Sequence, residues 1–261
     1  MLVDIHFVSW NRPKITELAI RTIARNTKSG NYRLTVLDNG SGKKQQDMLR
    51  KLQKEGYIDS LVLWDENKGL EKARDHLLRT HADGRYFICA DNDCLPVPMR
   101  RIGTSRTDWV ESLVMLMRLN PGYAAIACRT QVMIGSGNIF DGMEDQLIVD
   151  FPHPGGSLRI MRTQATLDVG GWEGKPGRGA EERWVCGQLR EFGWKTGFAV
   201  QIPTLHLFGL KDTDRWGYDK DLNPEDTGHS DVSHPALSNG DDLEEIKKYA
   251  GEELTDDYSR N

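Results

Sequence analysis

No run in this 261-residue chain approaches the ~20 consecutive apolar residues that a helix needs to cross a bilayer, so a membrane span is excluded at the outset. Cysteine is scarce as well. Cys89, Cys94, Cys128 and Cys186 show no Cys-x-x-Cys spacing and lie mostly in apolar surroundings. That excludes a zinc ribbon or a disulfide framework and leads us to expect free, buried thiols in a reducing compartment. There is no internal repeat. The opening residues Met1-Leu2-Val3-Asp4-Ile5 enter a strand pattern without the layout of a signal peptide, so a soluble, cytoplasmic protein is expected. The length suits one α/β domain, or a domain with an appendage, and two full domains would be a tight fit.

The net charge of −5 hides an asymmetry. Residues 201–261 carry 6 Lys and Arg against 15 Asp and Glu, and residues 1–200 carry 28 against 24, so a mildly basic body precedes an acidic tail. A basic body can attract an anionic ligand such as a nucleotide diphosphate or a nucleic acid, although scattered surface charge gives the same sum.

Apolar periodicity organises the first hundred residues. Leu2 to Ser9 reads as a strand, and Pro13 starts a helix over Lys14 to Asn26 with Ile15, Leu18, Ala19, Ile20 and Ile23 near helical spacing. The alternation continues with a strand at Leu34–Leu37, a break at Gly40-Ser41-Gly42, a helix from Lys43 to Glu55, a strand at Leu61–Trp64 and a helix from Leu70 to His81. Alternating strands and helices predict a largely parallel sheet with right-handed crossovers and a ligand beyond the carboxyl ends of its strands. Those ends carry Asn11 and Arg12, Asp38 and Asn39, Asp65 to Lys68, and Asp91 to Asp93.

The last of these ends is the most informative. Tyr86-Phe87-Ile88-Cys89-Ala90 is a buried strand that stops where two carboxylates emerge, Asp91 and Asp93, and Cys94-Leu95-Pro96-Val97-Pro98 then forces the chain away. Carboxylates so placed can hold a divalent cation. With 24 Asp in the chain, Asp-x-Asp also arises by chance, and Asp212-Thr213-Asp214 and Asp219-Lys220-Asp221 on polar stretches read as such matches. Further on, a helix at Trp109–Leu119 leads to a strand at Ala124–Cys128 and a polar connection around Gly135 to Gly142. A short strand-like piece follows at Leu158–Arg162, and Ala165 to Val169 ends at Gly170-Gly171-Trp172. Gly174 to Gly179 is a basic loop. Glu181-Glu182 opens a helix to Phe192, a strand runs near Phe198 to Ile202, and His206 follows it.

Taken in order, these pieces resemble family 2 glycosyltransferases, inverting enzymes of the GT-A fold, over residues 2–209. Val8-Ser9-Trp10-Asn11-Arg12-Pro13 is similar to the family's first strand and its exit, and Leu37-Asp38-Asn39-Gly40-Ser41 to its Asp-(Asp/Asn)-Gly-Ser turn. Asn67-Lys68-Gly69 followed by Ala73-Arg74-Asp75 is similar to its Asn-x-Gly…Ala-Arg-Asn segment, Asp91-Asn92-Asp93 to its metal motif, and Gly170-Gly171-Trp172-Glu173 to the block ahead of its catalytic acids. Glu181-Glu182 precedes Gly193-Trp194-Lys195 in the register of the family's Glu-Asp pair, with Glu in the second position as a departure. Trp184 and Gln188 replace a frequent acidic residue and a frequent Arg.

The resemblance implies a single GT-A domain over residues 1–209, with a nucleotide-binding half (1–95) and an acceptor and catalytic half (96–209), then an acidic, partly ordered extension (210–261). It implies nucleotide-sugar binding by Asn11, Arg12, Asp38, Asn67, Lys68, Arg74, Asp91 and Asn92, and a Mn²⁺ or Mg²⁺ held by Asp93, Asp91 and His206. Glu182 would be the base and Glu181 would position the acceptor. The expected donor is a UDP-sugar, and the acceptor classes left open are glycans, lipid-linked sugars, proteins, small molecules and hydroxymethylated DNA bases. The last is motivated by Arg100, Arg101, Arg106, Lys175, Arg178 and Arg183 beside the acidic segments.

Plainer accounts exist for several of these residues. Asp38 before Asn39-Gly40 suits a turn, Arg74 could pair with Glu71, the acids at 181 and 182 complement a helix dipole, and His206 could be a core histidine. Trp172 reads as packing and His229 and His234 as loop residues, while the tail from Lys211 could close over the donor with Trp216-Gly217-Tyr218 as a stacking element, or equally be a solvated acidic extension with a short surface helix at Asp241 to Tyr249. A sugar nucleotidyltransferase is the nearest alternative, but Trp10-Asn11-Arg12-Pro13 offers no Gly-rich, Arg-containing loop after the first strand. A non-catalytic nucleotide-sugar-binding module is the other.

Overall fold

The computed structural model describes residues 2–96, 107–130, 145–155, 158–173 and 181–206. Outside them lie the segments around Arg100, Arg101 and Arg106, the connection at 135–142, the basic loop with Lys175 and Arg178, and the tail with Trp216-Gly217-Tyr218, His229 and His234.

The first four strands are β1 (Val3–Ser9), β2 (Tyr32–Asp38), β3 (Ser60–Leu63) and β4 (Tyr86–Asp91), all parallel in the order β3-β2-β1-β4. Helices α1 (Pro13–Asn26), α2 (Lys43–Lys54) and α3 (Leu70–His81) connect them. Then come β5 (Cys94–Pro96), α4 (Trp109–Leu119), β6 (Tyr123–Thr130), β7 (Ile148–Asp150), β8 (Arg159–Arg162), α5 (Thr163–Asp168), α6 (Glu181–Glu191) and β9 (Lys195–His206). The sheet continues β4-β8-β6-β9-β5, with β7 on β9. β8 enters antiparallel to both β4 and β6, β6 and β9 are parallel, and β5 and β7 are antiparallel to β9. The parallel expectation thus holds across β1 to β4 and gives way to mixed pairing beyond β4. No helix among the described residues is long and apolar enough to cross a membrane.

Side-chain alternation sorts the strands between two layers. Val3, Ile5, Phe7, Leu34, Val36, Ile88, Ala90, Ile126, Leu158 and Ile160 face α1, α2 and α4 in the larger core. Phe87, Cys89 and Met161 face the other way, with Leu78 of α3, Ala165 of α5 and Val185, Cys186 and Leu189 of α6. Trp172 belongs to this second core, edge-on to Phe87, as expected of a packing residue. Each fully buried aliphatic side chain contributes about 1.5–3 kcal/mol, so the parity of β1, β4 and β8 is strongly specified.

Local signals set the helix starts. Pro13 occupies the first turn of α1, where its missing N–H costs nothing. Asp108 caps α4 in a reciprocal box with Glu111, and its carboxylate also accepts from Lys28 N and Asn31 Nδ2, binding α4 to the end of α1. The four cysteines are all free and buried, Cys94 and Cys128 in the larger core and Cys89 and Cys186 in the smaller.

Three elements depart from the sequence expectation. The chain at Cys94–Pro96 is a short strand paired with the far end of β9, and Pro96 closes it where no further N–H is required. The segment after the strand-like piece at Leu158–Arg162, where the sequence pattern marks no element, is a helix, α5, over Thr163–Asp168 with Val169 as its C-cap. β9 runs for 12 residues, far beyond Phe198–Ile202, because a register shift between Cys128 and Arg129 lets Pro203 sit in the ladder.

Gly40, at φ 77, brings the β2–α2 turn so close to the β3–α3 loop that a Cβ would stand 2.2 Å from the carbonyl carbon of Glu66. Gly40→Ala is therefore expected to destabilise the protein by about 2–4 kcal/mol in urea unfolding, the sum of a disfavoured backbone conformation and an unavoidable backbone clash. An unchanged midpoint would show that the two loops are not held against each other.

Candidate active site

The ends of β1 and β2 are welded by polar contacts. Asp38 is fully buried, and its carboxylate accepts from Ser9 Oγ (3.1 Å), Ser41 N (2.9 Å), Ser41 Oγ (2.6 Å) and Gln45 Nε2 (3.0 Å). Ionised acceptors of this kind make the stronger class of hydrogen bonds. Asn11, at the non-glycine φ of 44, accepts from Gly42 N through Oδ1 (3.0 Å), while its own N–H donates to Ser41 Oγ (2.9 Å). Arg12 N donates to Gln45 Oε1 (2.6 Å). These contacts fix the two loops where a diphosphate would approach the strand ends. As placed, Asp38 organises the turn, because its oxygens are taken up inside the protein.

The β3–α3 loop joins this frame through side-chain amides. Asn67 Oδ1 accepts from Asn39 Nδ2 and from Gly69 N (2.9 Å each), and Asn39 Oδ1 accepts from Lys68 N (2.9 Å). The Lys68 ammonium lies 5.1 Å from the centre of the Trp64 ring. Asn11, Arg12, Asn67 and Lys68 are thus gathered at one edge of the sheet.

Asp91 and Asp93 leave β4 toward opposite partners. Asp91 continues the parity of Phe87 and Cys89, and it meets Arg74 of α3, whose Nη2 donates to Asp91 Oδ1 at 2.5 Å. Asp93, across the turn, accepts from Arg12 Nη1 at 3.0 Å. Asn92 Nδ2 reaches Thr16 Oγ1 of α1 (3.4 Å). His206 is paired in the β5–β9 ladder with Cys94, directly after Asp93, so its backbone is brought to the acidic turn. Two carboxylates on either side of a turn are hard oxygen donors suited to Mg²⁺ or Mn²⁺. No group of three or more His, Cys, Asp or Glu ligands lies together among the described residues. A Mg²⁺ held by only one or two protein carboxylates commonly takes its remaining ligands from water and phosphate oxygens, and Asp91 and Asp93 are the hard donors that this turn offers.

Arg74 links this turn to the second acidic pair. Its side chain is 3 % exposed, and Nη2 lies 3.4 Å from Glu181 Oε1 as well as on Asp91. Burial opposes its charge, but Asp91, Glu181 and Glu182 more than offset this and hold it protonated. In place of Glu71, the plainer partner that helical spacing offered, Arg74 meets two acids distant in the chain.

Glu181 and Glu182 open α6 and behave as a pair. Glu182, half-buried, is pushed up to about 7, first by desolvation and then by its hydrogen bond to Glu181 and the charge there. For Glu181, burial works toward protonation, but Arg74, the hydrogen bond to Glu182 and Arg159 outweigh it and lower its pKa. One carboxyl is held ionised and its neighbour poised near neutrality, the separation that lets two acids take different roles.

Three residues at the site escaped the sequence reading. Gln45 bridges Asp38 and Arg12. Gly155 lies so near Glu182 that a Cβ would stand 2.6 Å from its Cγ. Arg159 is buried on the α6 side of β8. Only the last had a signal, an Arg inside the apolar run Leu158-Arg159-Ile160-Met161. Of the cations beside the acidic segments, Arg183 lies in α6 and the others fall outside the described residues.

The model for the family described as glycosyl transferase family 2 matches residues 4–163, more than half of the chain, ending ahead of α6. No curated protein sequence matches significantly. Among solved structures, the mannosyltransferase PcManGT from Pyrobaculum calidifontis, in complex with GDP-Man and Mn²⁺, is similar at TM-score 0.62 and 16% identity, over 82% of this chain and 59% of that one. S. aureus TarS is similar at TM-score 0.61 and 12% identity, over 79% of this chain and 36% of that one. A shorter TarS chain bound to UDP-GlcNAc gives 0.58 and 13%, over 78% and 58%. The chain therefore spans less than two thirds of these relatives, and at such identities the likeness establishes the GT-A fold alone. The family model reaches from the first strand to the start of α5, and on that match this chain belongs to glycosyl transferase family 2.

Proposed function

We propose that the protein is a metal-dependent, inverting glycosyltransferase that moves a sugar from a nucleotide-sugar, with UDP-sugar the favoured donor, to an acceptor hydroxyl. The observation that carries this reading is the single buried guanidinium of Arg74, which joins the acidic turn at Asp91 to the carboxyl pair on α6. Donor-side and acceptor-side groups are thereby parts of one site. Residues 1–95 form the donor half and 96–209 the acceptor half in this reading, and four free, buried thiols fit a cytoplasmic setting.

Bound at Asp91 and Asp93, with His206 beside them, Mn²⁺ or Mg²⁺ would neutralise the charge that grows on the departing diphosphate. The protein's own groups do the rest. Asn11 and Arg12, Asn39, Asn67 and Lys68 border the nucleotide, with Asp38 keeping the loops in place from beneath. Asn92 fixes the turn against α1. Glu182 takes the proton of the acceptor hydroxyl as that oxygen attacks the anomeric carbon, and the bond to the diphosphate breaks on the opposite side, so one displacement inverts the centre. Glu181, turned inward onto Arg74, holds Glu182 rather than touching the acceptor.

The donor reading is tested by thermal unfolding with UDP, GDP, CDP, TDP or ADP, each with and without Mn²⁺. One nucleotide at ~100 times its Kd is expected to stabilise the protein by about 2.7 kcal/mol in the presence of Mn²⁺, and Asp93→Ala to abolish the shift. Absence of a shift with every nucleotide would overturn the reading.

The base assignment has its own test. Release of nucleoside diphosphate from the stabilising sugar nucleotide, with water as acceptor, is expected to show an acid limb near pH 7. Glu182 must be unprotonated to act, and its raised pKa removes the active form as pH falls, about tenfold per unit below the limb. Glu182→Gln is expected to lower the rate on the order of 10²–10⁴-fold while the thermal shift with nucleotide persists. A limb near the ordinary carboxylate range would remove Glu182 from the role.

A further inference from the structure

Arg159 takes no part in the chemistry above, yet it is the most expensive side chain on the α6 face of the sheet. Its neighbours Leu158 and Ile160 point into the larger core, so alternation turns Arg159 and Met161 toward α6, with Arg159 opposite Cys89 on one side and Ala127 on the other. Its guanidinium is buried, 2 % exposed, and Nη1 donates to the carbonyl oxygen of Pro154 at 3.0 Å. Nε and Nη2 find no hydrogen-bond partner among the described residues. A methionine of similar volume would pack there without desolvating a charge or idling two donors. What surrounds the guanidinium shows what the charge is for.

The residue after Pro154 is Gly155, and it forms a wall against Glu182. A Cβ there would lie 2.6 Å from Glu182 Cγ and 2.8 Å from Oε1, so any side chain at this position would displace the Glu182 carboxyl. The same guanidinium is close enough to act electrostatically on both Glu181 and Glu182. Among the described residues, the charged and titratable groups facing Glu182 are Glu181 and Cys186 of its own helix, Arg74 from α3 and Arg159 from β8. With Glu182 protonated, the two arginines balance Asp91 and Glu181, and ionising Glu182 adds a third negative charge to this set.

We propose that Arg159 is a positioning residue for Glu182: by holding the Pro154 carbonyl it seats the bare backbone of Gly155 against the Glu182 carboxyl, and its charge steadies the Glu181–Glu182 pair from below. This rests on the reading of Glu182 as the base, but its test does not require turnover.

Carbon-13 NMR of the full chain, labelled at glutamate Cδ, follows the titration of Glu182 directly, its resonance being identified by its loss in Glu182→Gln. Arg159→Met is expected to raise the Glu182 midpoint by about 0.5–1 unit, because a nearby positive charge that favours the ionised form is gone. Arg159→Lys, which keeps the charge, is expected to leave the midpoint near that of the parent protein. Gly155→Ala is expected to move it the other way, downward, since the displaced carboxyl loses burial and its bond to Glu181. A purely structural Arg159 would lower the unfolding temperature without moving the midpoint. An unmoved Glu182 midpoint in Arg159→Met overturns the proposal, and if Arg159→Met does not fold, an unmoved midpoint in Gly155→Ala does so. If the midpoints move as expected while Glu182→Gln still releases nucleoside diphosphate at the parent rate, the positioning role stands and the base assignment falls.

Discussion

The two halves of this sheet meet at one buried cation. Arg74 projects from α3 into a space closed by the end of β4 and the start of α6, and it holds a carboxylate from each. Taking a guanidinium out of water is costly, and the geometry offsets that cost only with both acids present. Removing one partner of such a buried pair commonly costs about 3–5 kcal/mol, which is a large share of a domain's net stability. The position of α6 relative to the acidic turn is therefore a consequence of electrostatics as much as of the apolar contacts made by Val185, Cys186 and Leu189. The charge state of Glu181 follows from the same contact, and that of Glu182 follows from Glu181.

Around this junction, the loops after β1, β2 and β3 gain their shape from side chains bonding to backbone. Asp38, Asn11, Ser41, Gln45, Asn39 and Asn67 replace the regular pairing that ends with β1 and β2, so that loops without secondary structure are nonetheless fully braced. Such bracing suits a surface that must meet a highly charged ligand without rearranging. The arginines nearest the turn, Arg12 and Arg74, each already hold an aspartate. Their charges are thereby oriented by contacts within the protein itself.

Much of this was legible in the sequence, for physical reasons that can be named. The strands β1, β2 and β4 and the helices α1, α3 and α4 carry enough apolar residues at one period to announce themselves within a few residues of their observed ends. β5 and β7 have three residues each, too few to show any period, and their existence depends on a partner strand far along the chain. The acidic turn and the Glu181–Glu182 pair stood out because carboxylates at a strand end and at a helix start are conspicuous. Their connection did not. A local rule pairs Arg74 with Glu71 one turn away, whereas the fold brings it Asp91 and Glu181. Asp38 reads equally well as a turn former or a ligand contact until its burial is known, and Gly155 carries no signal at all, because its meaning lies in Glu182, which is remote in sequence.

The four buried cysteines have a practical consequence. Burial pushes the Cys186 thiol up to about 11 and raises those of Cys94 and Cys128 as well. At these three sulfurs thiolate, the form that alkylating reagents attack, is thus scarce in the closed molecule and more abundant where the sheet has opened. Cys94 and Cys128 lie on one side of the sheet and Cys186 on the other. The rate at which Cys94, Cys128 and Cys186 are capped therefore gauges how often their layers breathe, turning the native chain into its own set of three opening clocks.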